Sequence, residues 1–328
     1  MKVKIAVFIS SVLLLVVIGC ATQNQTTNGN KVLNIGIIQL VSHRALDASR
    51  EGFIAALADS GFHVDKEIKL DFNDAMGDMS NLSTISDRFV NNKVDLVLAI
   101  TTPAALAIAS KTETIPIVAT AVTSFANAEL VKSDEVPGTN VTGTSDMNPV
   151  AAQISLIKEL FLDAETVGFL YNSSESNSVL QIEIAKESAE KLGLKWTEVT
   201  VTSTNDVQQA MQSLVTRCDV IYLPTDNTVS SAMATISAVA AEAKIPTVCG
   251  EENQVYEGGL VSMGVDYYEL GYKAGLMAVE IINGTDPANM PIQFADESDD
   301  IIINGFIAEE IGFSVPEKFV EFIVYPED

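Results

Sequence analysis

"VDLVLAITTPAALAIAS" occupies Val94–Ser110, and "CDVIYLPTDNTVSSAM" occupies Cys218–Met233. Each is an apolar run that ends in a polar turn and continues into a helical pattern. The next runs echo each other too: "TIPIVAT" at Thr114–Thr120 and "KIPTVCG" at Lys244–Gly250. Apolar runs of this length, bounded by turns and separated by helices, read as buried parallel strands. Working outward, "VLNIGIIQL" (Val32–Leu40), "EIKLDFNDA" (Glu67–Ala75) and "NVTGTSD" (Asn140–Asp146) complete one set of strands. "TVGFLYN" (Thr166–Asn172), "KWTEVTVT" (Lys195–Thr202) and "GLVSMGVDY" (Gly259–Tyr267) complete a second. Helical patterns over 45–60, 79–92, 103–111, 179–192, 206–217 and 229–243 fall between them. The rhythm predicts an α/β protein of two doubly wound, Rossmann-like lobes.

The chain opens "MKVKIAVFISSVLLLVVIGC". Two lysines, a short apolar run and a small residue before Cys20 fit a secretory signal better than a spanning helix. "VIGC" resembles the bacterial lipobox, in which the cysteine is lipidated and becomes the first mature residue. Residues 1–20 are therefore expected to be a lipoprotein signal peptide. Residues 21–31, "ATQNQTTNGNK", have the composition of a flexible tether. A lipid on Cys20 would anchor the chain to a bacterial membrane, facing an extracytoplasmic space.

The 328 residues carry 44 Asp and Glu against 19 Lys and Arg. A surface that acidic repels nucleic acid, which excludes that class of partner. Only Cys218 and Cys249 remain beside Cys20, with no zinc-like spacing; they could pair in an oxidising compartment, and two buried free thiols are the leading expectation. The run "ADESDD" (Ala295–Asp300) lacks the regular spacing and the glycine of a calcium loop and reads as a solvated hinge. No metal or cofactor is expected. There is no G-x-S-x-G elbow, H-E-x-x-H pair or dinucleotide fingerprint, and the two histidines, His43 and His63, leave little for histidine-dependent catalysis.

"HRALDASREGF" (43–53), "MGDMSNLSTI" (76–85), "NVTGTSDMNP" (140–149), "YNSSESNSV" (171–179), "YLPTDNTVSSAM" (222–233) and "VDYYELGYKAGLMAVEIINGTDPANMPI" (265–292) occur in that order. Together they closely resemble the ABC-transporter substrate-binding lipoproteins that import aromatic amino acids, chiefly tryptophan and tyrosine. The resemblance covers essentially the whole mature chain. One departure is Arg44, where the family pattern has proline. The resemblance implies a type I periplasmic-binding fold with a ligand cleft between the lobes, and an ABC permease with its ATPase as partners. It also implies three crossings between lobes, near 143–148, 265–267 and 296–300. The N-terminal lobe would be 32–145 with 267–297, and the C-terminal lobe 146–266 with 298–328.

In open α/β sheets ligands sit beyond the carboxyl ends of strands. The turn from Asn172 to Ser178 is such an end, and it is glycine-free and packed with hydroxyls and amides. Asn172, Ser174, Asn177 and Ser178 are expected to hold the carboxylate of an amino acid, with helix capping as the competing role. In the matching loop, Asp226 is expected to accept the ligand ammonium, with capping of the following helix as its competing role, and Asn227 to stand beside it; Asp266 and then Glu251 are rival carboxylates. The first lobe would supply a side-chain pocket of small and apolar residues around Gln39, Thr102, Ala104 and Thr123. Thr102 could instead cap the helix that begins at Pro103. His43 could donate to a ring edge or stand in solvent, and Tyr171, Tyr222, Tyr267 and Tyr268 could stack on a ligand or belong to the core.

The leading function is thus a binding lipoprotein that delivers a small solute to an ABC permease. A sensor lipoprotein of the same fold, reporting to a membrane receptor, or a binder of another small solute, stands as the alternative. The signal and the lack of DNA-binding helices exclude a cytoplasmic repressor. The lipobox makes a direct prediction: Cys20→Ser abolishes incorporation of radiolabelled palmitate and leaves the signal uncleaved, whereas equal labelling of both forms would reject it.

Overall fold

The computed structural model describes residues 32–295 and 301–326; the signal, the tether and the expected third crossing lie outside the described residues. In the first half the elements are β1 (Leu33–Gln39), α1 (Arg44–Asp59), β2 (Ile68–Asp74), α2 (Met79–Asn92), β3 (Leu96–Ile100), α3 (Thr102–Ala109), β4 (Ile117–Val122) and β5 (Val141–Ser145). The second half begins with α4 (Val150–Leu160), β6 (Thr166–Asn172), α5 (Ser176–Lys191), β7 (Lys195–Val201), α6 (Val207–Leu214) and β8 (Val220–Leu223). It continues with α7 (Asn227–Ser230), α8 (Met233–Ala243), β9 (Thr247–Cys249), α9 (Glu252–Tyr256) and β10 (Val261–Met263). Then come α10 (Tyr267–Ile282), β11 (Gln293–Phe294), β12 (Ile301–Asn304), α11 (Gly305–Ile311) and β13 (Ile323–Val324).

The strands form two sheets, ordered β11-β5-β4-β3-β1-β2 and β13-β12-β10-β9-β8-β6-β7. Relative to their own first strands, both carry the doubly wound order 2-1-3-4-5, as the internal echo predicts. Every pairing is parallel except β10 with β12. Alternate residues of each strand feed opposite cores. On β3, Leu96, Leu98 and Ile100 pack into one cluster and Val97 and Ala99 into another. On β8, Val220 and Tyr222 face one side and Ile221 and Leu223 the other. Both faces of each sheet are covered, which is why these strands are continuous apolar runs.

The chain leaves the first sheet after β5 and returns to it after β10, when α10 packs on α1. Their axes approach closely because glycines stand at the contact. A Cβ on Gly52 would lie 2.1 Å from the Tyr268 carbonyl oxygen, and one on Gly271 would lie 1.9 Å from that of Ser49. The buried Ser49 hydroxyl donates to the Tyr267 carbonyl at 3.0 Å across this seam. Cys218 and Cys249 are free, buried thiols, both pushed up to about 12 chiefly by burial. No helix among the described residues is long and apolar enough to cross a membrane.

Three helices differ from the sequence reading. The one expected to run to Arg217, α6, ends at Leu214. The helix expected from Val179 begins at Ser176, so Asn177 and Ser178 lie in its first turn. The helix expected over 229–243 is two, α7 and α8, separated at Ser231 and Ala232. The α1–α10 seam generates a stability prediction. Gly271→Ala forces the helices apart and destabilises the protein by about 1–3 kcal/mol, read from urea unfolding; a change below about 0.5 kcal/mol would show that the seam yields freely.

Candidate ligand-binding site

The switch points of the two sheets lie between β1 and β3 and between β6 and β8, where neighbouring connections leave in opposite directions. The carboxyl ends of these strands face one another across a narrow, almost filled cavity. It is lined by His43 and Leu46, by Ala121 near the end of β4 and Thr123 after it, and by Asp146 at the crossing that follows β5. Asn177, Asp226, Asn227 and Glu251 face them from the second lobe, and Tyr267 stands at the crossing into α10. A larger, open groove of about 1460 Å³ lies at the amino ends of β4 and β5, lined by Pro116, Asn140 and Val141 among others. That pole is away from both switch points, so the smaller cavity is the candidate site.

The turn that follows β6 holds the neighbouring loop of its own lobe. The Asn172 backbone N–H donates to Asp226 Oδ2 at 2.6 Å, and its Nδ2 donates to Thr228 Oγ1 at 2.9 Å. The Ser174 N–H donates back to Asn172 Oδ1 at 2.8 Å. Ser178 is fully buried and its hydroxyl bonds to Asp226. Glu175, which the sequence reading passed over, is the hub. Its buried carboxylate accepts from Asn227 Nδ2 at 2.5 Å, the Asn227 N–H at 3.1 Å, the Thr228 N–H at 3.2 Å and the Thr228 hydroxyl at 3.0 Å. Asn172 and Ser178 are therefore committed to this network, Ser174 is exposed and joins it only through its backbone N–H, and none of the three lines the cavity. Of the turn, only Asn177 does.

Asp226 borders the cavity, but both its oxygens are occupied by backbone N–H groups. Oδ1 caps α7 through Val229 at 2.8 Å, and Oδ2 takes Asn172. Burial and the neighbouring Glu175 push its carboxyl upward. Asp266 is exposed and caps α10 through the Tyr268 and Glu269 N–H groups, so it does not reach the cavity. Among the three carboxylates weighed from sequence, Glu251 alone turns an unpartnered oxygen inward. Its Oε1 accepts from Ser230 at 2.9 Å, while Oε2 is buried without a protein partner. Asp146 matches it from the crossing after β5, where its N–H donates to the Val122 carbonyl at 3.2 Å. The Tyr267 hydroxyl donates to Asp146 Oδ2 at 2.7 Å, and Oδ1 is buried without a partner. Burial pushes Glu251 up to about 8 and raises Asp146 as well.

Other expected residues are placed elsewhere. Gln39 braces the first loop: its Nε2 donates to Asp47 and to the Val41 carbonyl, and its Oε1 accepts from Arg50. Ala104 belongs to the core of the first lobe. The cap of α3 is Thr101, one residue before the expected Thr102, whose buried hydroxyl lacks a protein partner. Thr101 at φ 100° and Ala121 at φ 54° hold left-handed backbone at the ends of adjacent strands, a strain that concentrates where ligands are gripped. Tyr171 and Tyr222 are core residues whose hydroxyls donate to Glu198 and Gln153, Tyr268 is exposed, and Tyr267 meets the cavity. His43 lines the cavity with a buried, unpartnered Nε2, and burial holds its imidazole down at about 4, hence neutral. Arg44 reaches from the first lobe to the second, its guanidinium 4.7 Å from the Tyr256 ring centre.

Residues 34–323 match the family model described as ABC transporter substrate binding protein. The chain belongs to this family. An ABC substrate-binding protein is a solute carrier, and its transporter is the partner the family defines. The chain is 43% identical over 284 residues to the "Tyrosine-binding protein" of Clostridioides difficile, covering 87% of this chain and 82% of the relative. A Streptococcus ABC domain solved in complex with L-Trp shares 37% identity and a TM-score of 0.86, covering 90% of this chain and all of that one. A substrate-binding protein with adhesive properties from Clostridium difficile, solved ligand-free and open, shares 43% identity with the same coverage, yet its TM-score is 0.68. Despite its higher identity, the open, ligand-free relative superposes less well on this chain than the L-Trp complex does. A more distant myo-inositol-binding protein from Bacillus halodurans, at 15% identity and a TM-score of 0.63, shares the type I fold.

The Glu175 network generates a prediction for this ABC substrate-binding protein. Glu175→Ala leaves several buried donors unmet, at roughly 1–3 kcal/mol for each that finds no water. A loss of about 3 kcal/mol is expected in urea unfolding; a loss under about 0.5 kcal/mol would mean that the loop is held by other contacts.

Proposed function

We propose that this chain captures an aromatic amino acid outside the cytoplasm and delivers it to an ABC import permease driven by its ATPase. The observation that carries the reading is the closed cleft at paired switch points. Its unpartnered polar atoms include carboxylate and amide oxygens, and no lysine or arginine stands among its described lining residues. Acceptors without a cation fit a ligand that brings its own positive charge. Leu46 and Ala121 give the small, apolar wall a flat ring requires. The tyrosine-binding relative and the L-Trp-bound neighbour support the aromatic class.

In this reading Thr123, Asn177, Asp226, Asn227 and Glu251 remain site residues. Asp226 and Asn227 shape the wall, and Gln39, Asn172, Ser174 and Ser178 support it from behind. The lobes are 32–145 with 267–297 and 146–266 with 298–328, hinged at the crossings. Cys20 carries the lipid, the signal is removed, and residues 21–31 tether the binding domain to the membrane. The test is native mass spectrometry of the purified protein with gentle unfolding, followed by calorimetric titration with tryptophan, tyrosine and phenylalanine. Release of an aromatic amino acid, or saturable binding of at least one, is expected. Release of another solute that none of the three displaces would overturn the reading.

A further inference from the structure

Arg44 is the first residue of α1, so its backbone N–H has no partner inside the helix. Helix α1 packs on the first sheet through Ala45, Leu46 and Phe53, and α9 packs on the second through Val255. The partner of the Arg44 N–H comes from the α9 side. The Glu257 carboxylate, just past the end of α9, accepts that N–H and lies in the field of the guanidinium. An anion at the start of a helix is favoured by the helix dipole as well. The same guanidinium lies 4.7 Å from the centre of the Tyr256 ring, close enough for a cation–π contact. Neither Arg44 nor Tyr256 nor Glu257 lines the ligand cavity.

A groove that shares Tyr267 with the cavity opens beside it. In this groove Arg44, Asp47 and Glu51 of α1 meet Glu252 and Tyr256 of α9 and Asp266 at the return to α10. Arg44 is the sole base among its described lining residues. Without it the two banks are acid against acid, and like charges repel. Burial and the acids Glu252 and Asp266 push the Tyr256 phenol up, and Arg44 opposes them. Burial pushes the Glu257 carboxyl up, and the Arg44 charge and N–H oppose it.

Resting on the two-lobe reading, we propose that Arg44, Tyr256 and Glu257 form a clasp beside the cavity that joins the two lobes without touching the solute, and that this clasp sets how fast a bound solute leaves. A solute in a narrow, almost filled cavity leaves only when the walls part. Whatever resists parting slows release, and a contact outside the cavity does so for every solute alike. The clasp governs residence time, and the cavity governs selectivity. Arg44 and Glu257 are exposed and Tyr256 is half-buried, so each contact is weak and is screened by salt. The clasp therefore tunes release by a modest factor and does not switch it on or off.

The variants follow from the chemistry. Arg44→Ala removes the guanidinium and keeps the N–H. Arg44→Pro removes both, because proline has no N–H. Proline fits there: it is tolerated at the first helical position, and His43 before it is already extended, at φ −155° and ψ 164°. Glu257→Gln weakens the clasp from the other side. The protein is loaded with radiolabelled L-tryptophan or L-tyrosine and chased with excess unlabelled amino acid. Release is expected to quicken about threefold in Arg44→Ala and in Glu257→Gln and about tenfold in Arg44→Pro, with association rates within about twofold of wild type. Adding Glu257→Gln to Arg44→Pro is expected to add nothing, because both remove the same contact. Salt is expected to quicken release from wild type more than from Arg44→Pro. Wild-type release rates and salt dependence in Arg44→Pro and Glu257→Gln overturn the clasp and leave the aromatic reading intact. The ligand-free proteins are also compared by solution scattering, with wild type expected to be more compact than Arg44→Pro. This arm needs no solute, so it judges the clasp even if neither amino acid binds; equal radii of gyration overturn it.

Discussion

A carboxylate taken out of water must meet donors, a cation or a proton. Among the described residues four acidic side chains are buried at the carboxyl ends of strands: Asp146, Glu175, Asp226 and Glu251. They answer the requirement in two ways. Glu175 and Asp226 are met from within, by loop N–H groups, hydroxyls and the Asn227 amide. Asp146 and Glu251 are only half met: both line the cavity, and each keeps one buried oxygen without a protein partner. The first pair makes the second lobe's loops rigid. The second pair gives the cleft a charge requirement that a ligand can fulfil.

That division depends on the fold delivering each loop to the same place. Repeating the order 2-1-3-4-5 sets two switch points opposite each other. The close α1–α10 seam, with Gly52 and Gly271 at its contact, brings the chain back to the first lobe after β10. Tyr267 sits at that return, and its hydroxyl reaches Asp146. Residues at the crossings between the two sheets and residues that line the cavity are therefore in part the same positions.

The two-lobe α/β fold was legible because parallel strands covered on both faces are written as apolar runs, and because the second half repeats the first. The ligand loops were legible as strand ends. Individual roles were less so. An aspartate that caps a helix and one that holds an ammonium have the same sequence signature. Asp226 and Asp146 both follow an apolar strand, and only the distances to Asn172 and Val229 tell the cap apart. The polar turn after Tyr171 misled in the same way, because its amides and hydroxyls answer Glu175 and Asp226, partners remote from view in a linear chain. Asp146 was read as a hinge position. Its placement directly after β5, at a crossing, was the available signal for a site residue.

The most direct test of this account is a crystal structure of the protein with a bound aromatic amino acid. The account predicts the ligand nitrogen within hydrogen-bond distance of Asp146 Oδ1, Glu251 Oε2 and Asn177 Oδ1, with Asp226 still bonded to the Asn172 and Val229 N–H groups. A ligand nitrogen bonded to Asp226 in place of those N–H groups, with the inward oxygens of Asp146 and Glu251 facing only solvent, would contradict it.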